Sequence, residues 1–181
     1  PPAPGTGSSF VAVDRNGSAV ACGLTLNNLF GTGRIAPETG IVLSALPGPG
    51  GRGPDSLAAV LLINSVHNEF YFAAAASGGP VSPSALVQVS AGTLMAGEGE
   101  SLVQAIGARR AHNGGGLTYF EQGLDAAVID GLAKRGHRLS PEPGLGLVNA
   151  IFCSTGIPSK IGMSCVQRSD PRGFGLSSGA H

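Results

Sequence analysis

Short apolar runs broken by glycine dominate the chain, and their spacing changes character once, near residue 80. Before that point the pattern is apolar or alternating over about four to eight residues, as in strands. Phe10–Val13 predicts a short strand, Asp14-Arg15-Asn16-Gly17 carries an Asn-Gly turn signal, and Ser18–Leu26 predicts the return strand. Thr39–Ser44 predicts another strand and residues 45–55 a Gly/Pro loop. Ala58–Asn64 and Glu69–Ala75 predict a second hairpin around Ser65–Asn68. After Ser77-Gly78-Gly79-Pro80 the period lengthens to that of helices, and Ser82-Pro83 reads as a helix start. Ser84–Ala96 keeps Ala85, Leu86, Val89, Leu94 and Met95 near one side. Glu100–Arg109 sets Leu102, Val103 and Ile106 on one stripe, and Asp125–Arg135 stops at Gly136. Leu145–Ser154 and Lys160–Arg168 predict a last strand pair. Hairpins, then helices, then a hairpin indicate an α+β layered fold. Residues 1–9 read as a flexible lead, and residues 10–181 as one domain.

Composition narrows the classes. The 181 residues suit a single domain of about 100–200. Charged residues are 12%, about half the ordinary share, and eleven basic residues balance eleven acidic ones. A neutral chain without a basic stripe gives no reason to expect nucleic acid. No apolar run approaches the roughly 18–20 residues of a membrane span. The strands Val11-Ala12-Val13 and Val60–Ile63 are apolar on both faces, so a covering layer from a partner is expected. The chain starts at Pro1, which points to a longer precursor or to loss of the first residues, and no signal peptide is visible. Of four histidines, His67 sits at a hairpin tip and reads as solvated, His112 as structural, and His137 as a carbonyl cap after a helix; His181 is terminal. No Cys/His spacing fits zinc, and Gly114-Gly115-Gly116 lacks the Lys-Ser/Thr of a phosphate loop. No cofactor and no metal are expected.

Six segments in order are more specific. They are Ser8–Gly17, Thr25–Gly33, Glu38–Leu43, Ser77-Gly78-Gly79, Ala108-Arg109-Arg110-Ala111-His112 and Ser169-Asp170-Pro171-Arg172. Together they resemble the small subunit of γ-glutamyltranspeptidases along nearly the whole chain. The resemblance implies the four-layer αββα fold of N-terminal-nucleophile hydrolases, of which this chain is the small-subunit half. It implies a precursor that cuts itself, a large subunit of that precursor as partner, and a periplasmic or extracellular location. It also implies a Thr nucleophile at the new N-terminus, with its own amine as base. A hydroxyl needs an adjacent base, and an α-amine of pKa about 7.7–8.0 is suited to the task.

Residue by residue, the resemblance carries over unevenly. Aligning Phe10 and Asp14 without a gap puts the nucleophile position on Gly7, which has no hydroxyl. Thr6 serves as nucleophile only if the strand start holds an extra residue and the chain is cut before it; Ser8 is the other neighbouring hydroxyl. Thr25 matches the Thr that hydrogen-bonds the nucleophile. Asn27 matches the Asn that holds the substrate amino group, and also reads as a turn-capping Asn. The Gln and Asp that share this task are missing from Ser44–Gly48. Ser56 matches the first of two carboxylate-binding serines, and Leu57 replaces the second. Gly78 and Gly79 match the oxyanion-hole donors and also read as a plain strand-to-helix turn. The reading that follows is a degraded catalytic centre in a pseudoenzyme that serves a larger assembly. The alternative is an active amidohydrolase or transpeptidase that cuts itself before Thr6. Finally, a hairpin symmetric about Ser159 sets Cys153 opposite Cys165, within disulfide reach in an exported protein, with Cys22 a buried free thiol. Three small apolar residues in a reduced core are the other reading.

Overall fold

The computed structural model describes residues 7–46, 57–96, 101–159, 162 and 164–179. Strands β1 (Gly7–Val13) and β2 (Ala19–Thr25) form an antiparallel hairpin whose turn is held by the Asp14 carboxylate. That carboxylate accepts from the N–H groups of Asn16 and Ser18, which holds its pKa below the ordinary value. Strands β3 (Ala58–Asn64) and β4 (Glu69–Ser77) form the second hairpin, where the apolar pattern placed it. After it come a single 3-10 turn at Gly79–Val81 and helix α1 (Ser82–Ala96), then α2 (Ser101–Gly107). Strands β5 (Ala111–Asn113) and β6 (Thr118–Glu121), helix α3 (Ala126–Lys134) and strand β7 (Leu139–Glu142) follow. The long β8 (Leu147–Ile157) and the short β9 (Cys165–Arg168) close the order.

The central sheet runs β3-β4-β8-β9 and is apolar on both faces. On one face Phe72, Ala74, Ala76, Val148, Ala150 and Phe152 pack against Ala85, Leu86 and Val89 of α1 and Leu102 and Ile106 of α2. Phe72 and Phe152, register partners, meet edge to face with ring centroids 6.4 Å apart. On the other face Phe70, Ala73, Ile151, Cys153 and Ile157 pack against Val11, Val13 and Ala19 of the first hairpin. A small residue at every position from Ala73 to Ala76 lets both layers approach the sheet closely. The layers are therefore helix, sheet and hairpin sheet. The hairpin's outward face carries Phe10, Val20 and Leu24, all exposed. A separate sheet β5-β6-β7, with β6 and β7 parallel, stands beside α1 and carries α3.

Several expectations need correction. β1 begins at Gly7, inside the expected lead, because Ser9 is buried and donates from Oγ to Ala75 O at 3.0 Å. Thr39–Ser44 is not a strand; Ile35 and Val42 make one isolated bridge, and left-handed Glu38 and Gly40 turn the chain in an exposed loop. On α1 the buried stripe ends on Thr93, whose hydroxyl donates to Val89 O, and Leu94 and Met95 are exposed. Val103 of α2 is likewise exposed. Asp125 stands outside α3 as its N-cap, accepting from Ala127 N at 2.7 Å. The strands β5, β6 and β7 were not expected, being three or four residues long and largely polar. Cys22 is half-exposed, not buried, since it lies on the outward side of β2 with Val20 and Leu24. His137 does not cap a carbonyl with its ring; Nδ1 pairs with Thr118 Oγ1 at 2.8 Å while its backbone N–H takes Leu132 O.

Candidate active site

Two strand ends and one turn form the candidate site. Gly7 opens β1 and lies opposite Thr25, the last residue of β2. Side-chain directions alternate along a strand. Ser9, Val11 and Val13 face the central sheet, so Gly7 faces it too, beside Ser77 at the end of β4. Ser8, in between, is exposed on the outer side. The inner place at residue 7 is full. A Cβ built there would lie 2.9 Å from Leu24 O, 3.4 Å from Ser77 Cβ and 3.6 Å from Leu57 Cδ2. Leu57 also lies 3.4 Å from a Cβ built on Gly23, so it covers both glycines of the hairpin's inner end.

Thr25 and Asn27 are drawn into the hairpin's exit. Thr25 Oγ1 accepts from Asn27 N at 3.1 Å, and Asn27 Nδ2 donates to Ala45 O at 2.7 Å. Asn27 takes a left-handed backbone (φ 60°), which Asn tolerates better than most residues. Its amide N–H thus ties the two ends of the exposed 26–45 loop, as does the Ala45 N–H to Leu26 O. The loop between them carries exposed Leu29, Phe30, Ile35, Ile41 and Leu43. Thr6 and Ser56, the other expected site residues, lie outside the described residues.

Gly78 and Gly79 form the turn from β4 into the helical segment, with φ of 132° and 72°. Only glycine adopts the first of these freely. A Cβ at Gly78 would also meet Gly146 Cα at 2.8 Å. Two adjacent backbone N–H groups without side-chain cover are what the turn offers a developing oxyanion.

What holds Gly146 against this turn is a cluster of four charged side chains, Arg110, Glu121 and Asp170 buried and Arg172 partly so. Arg110 Nη1 donates to Leu145 O and Gly146 O at 3.2 and 2.9 Å, and Nη2 reaches Asp170 Oδ2 at 2.7 Å. Asp170 Oδ2 also accepts from Val148 N at 2.9 Å. Glu121 accepts from Leu145 N at 2.8 Å and from Arg110 N at 3.1 Å. Arg172 grips Glu121 with two donors at 2.6 Å and Asp170 with a third at 3.2 Å. Burial pulls the Arg110 guanidinium below its usual pKa against the attraction of Asp170. For Glu121 burial acts upward, but the Arg172 hydrogen bonds and the Leu145 N–H outweigh it and hold the carboxyl below its usual value. Burial acts on Arg172 too, and its contacts with Glu121 and Asp170 overcome it and raise its pKa. Arg110, Asp170 and Arg172 fall in segments that the sequence singled out; Glu121 did not. The available signal was scarcity: a chain so poor in charge has few ionised groups to bury, and Arg110, Glu121 and Asp170 are three of them.

The remaining expected residues lie elsewhere. Cys153 and Cys165 are register partners in β8 and β9, joined by a disulfide with Cα atoms 4.0 Å apart. His112 pairs through Nδ1 with Ser84 Oγ at 2.5 Å and stacks on Tyr119, and burial lowers its pKa. His67 is exposed. Among the described residues no group of His, Cys, Asp and Glu is arranged to hold a metal, and no helix is long and apolar enough to cross a membrane.

The γ-glutamyltranspeptidase family model matches residues 1–180. The chain is similar to the γ-glutamyltranspeptidase T380A mutant of Helicobacter pylori, at 22% identity and a TM-score of 0.72, covering 91% of this chain and 99% of that one. It is similar to the Pseudomonas nitroreducens γ-glutamyltranspeptidase complexed with L-DON, at 22% and 0.70, covering 96% and 99%. A third likeness is to the Bacillus anthracis transpeptidase CapD, at 24% and 0.69, covering 94% and 99%. No curated protein matches the chain.

Proposed function

The chain belongs to the γ-glutamyltranspeptidase family and has the N-terminal-nucleophile hydrolase fold, and from that premise we propose that it is a non-catalytic member. In this reading it is a small-subunit domain whose catalytic centre is degraded, retained as a structural or interaction part of a larger assembly. One observation carries the proposal. The position that opens β1 and faces the sheet is Gly7, and its inner side is filled by Leu24 O, Ser77 and Leu57. A nucleophile there needs a hydroxyl, and this position has neither the oxygen nor the room for one. Asn27 fits its other reading, a loop tie, since its side-chain amide donates to Ala45 O. In this reading the Gly78–Gly79 turn serves as a strand-to-helix connection.

The partner in this reading is the large-subunit half of the same precursor. The exposed apolar residues Phe10, Val20 and Leu24 on the hairpin's outer face support it, because an uncovered sheet face of this kind calls for a further layer. A periplasmic or extracellular location is supported by the paired Cys153 and Cys165, since such bridges persist in oxidising compartments.

The test is turnover of γ-glutamyl-p-nitroanilide by the full-length protein. Background hydrolysis is expected. Robust turnover that disappears in Thr6→Ala would instead establish the alternative, a nucleophile displaced by one residue.

A further inference from the structure

We propose that the Cys153–Cys165 disulfide is a redox lock. Closed, it holds β9 on the sheet and Asp170 in the charged cluster; opened by a dithiol reductant, it loosens both. The inference concerns regulation rather than turnover, so it stands apart from the reading of a degraded centre. Strand β9 is four residues long and is the edge of the central sheet among the described residues. Its grip is shallow, with Cys165, Val166 and Gln167 half-buried and Arg168 exposed. Ser169 alone separates it from Asp170, which meets Arg110 Nη2 at 2.7 Å and accepts from Val148 N at 2.9 Å. Val148 and Cys153 both lie on β8. The chain therefore closes a ring: along β8 from Val148 to Cys153, across the bridge to Cys165, along β9 to Asp170, and back to the Val148 N–H. Each tie in such a ring raises the effective concentration of the other, because the strap between them is short. The hydrogen bonds from Ser154 and Thr155 to the Ser164 hydroxyl add little, being made at partly exposed groups that water can replace.

The two sulfurs differ in access. Cys153 is fully buried, whereas Cys165 stands at the rim of the same core and is partly exposed. An incoming thiolate therefore meets Cys165 first. It forms a bond to Cys165 Sγ, the S–S bond breaks, and the electron pair leaves with Cys153 Sγ, which takes a proton. The second thiolate of the reductant then attacks the mixed disulfide. The reductant is oxidised to its own disulfide, and the pair of cysteines ends as two thiols. The Cys153 thiol behaves as a small apolar group and keeps its place among Phe70, Ala73, Ile151 and Ile157. The sheet beneath the hairpin survives, so the loss falls on β9 and on the Asp170 contacts that follow it.

The experiment is amide hydrogen exchange of the folded full-length protein, oxidised and after treatment with dithiothreitol. Reduction should speed exchange at Val166–Arg168 and at the Val148 N–H by about tenfold or more, with the Phe72 and Ala74 amides of β4 unchanged. In Cys165→Ser the same amides should exchange fast without dithiothreitol and should not respond to it, which separates this bridge from any other target of the reagent. An unchanged Val148 N–H in the reduced protein overturns the proposal, since β9 and the charged cluster are then independent. Acceleration spread evenly over β4 as well overturns it too, and makes the bridge a staple of the whole fold. Free thiols at both 153 and 165 in protein taken from its own host likewise overturn it.

Discussion

Two regions meet at Gly78. On one side Arg110, Glu121, Asp170 and Arg172 clamp the Leu145–Val148 segment, and Gly146 presses on the turn. On the other side Gly7, Gly23 and Leu57 fill the space between the hairpin's inner end and β4. Ionised groups in the clamp are buried or nearly so, paired and multiply hydrogen-bonded, a state in which removing one weakens what holds its neighbours. Among the described residues the hairpin end holds no ionised group; small residues and one leucine pack there. The difference teaches that a scaffold and its chemistry are separable. The charged groups sit in a tight network here, while Gly7, the position that the proposed reading takes as a lost nucleophile, is a packing contact.

The strongest way to break this comparison is at the clamp. Arg110→Ala leaves buried Asp170 with only the longer Arg172 contact at 3.2 Å and strips Leu145 O and Gly146 O of their donor, and should cost about 3–5 kcal/mol in urea unfolding. A loss within a few tenths of a kcal/mol would remove the clamp from the account. The same network can be probed by titration. The Glu121 pKa is lowered from its ordinary 4.5. The stability it contributes is therefore present above about 4.5 and is lost as the pH falls through the lower folded-state value. Glu121→Gln should flatten that acid limb of the stability profile; an unchanged limb assigns the acid sensitivity elsewhere. At the hairpin end, Gly7→Ala puts a methyl 2.9 Å from Leu24 O. Overpacking of this kind should cost about 1–3 kcal/mol, read as a lower unfolding midpoint. A neutral outcome would reopen the site. The smallest effect is at Asn27→Ala, which removes one hydrogen bond in a partly exposed loop, at about 0.5–1.5 kcal/mol. Its mark is a change in stability with background turnover unmoved.

The two regions also differed in how legible they were. The first two hairpins, both main helices and the pairing of Cys153 with Cys165 follow from period, turn residues and symmetry, all local signals. Leu57 could be named as a departure from the family pattern, but that it lies against Gly7 is a product of tertiary packing. The clamp gathers residues from position 110 to 172, and no short-range pattern announces that Glu121 belongs with them. Thr93 misled the α1 stripe because a hydroxyl returned to its own helix can be buried as readily as a methyl. The strands β5 to β7 escaped because pairing, rather than hydrophobicity, defines them.

The Asn149 side chain that stitches β8 to Ser9 spans 140 residues of sequence. It sets a timetable for synthesis. The first hairpin leaves the ribosome early and can meet β4 once residue 77 has emerged, but its seat is finished only when β8 arrives. For that interval Val11 and Val13 face an incomplete floor, and closing so long a loop is slow compared with forming either hairpin. Nascent chains halted before residue 147 should therefore bind holdase chaperones, and release them once residue 157 is exposed.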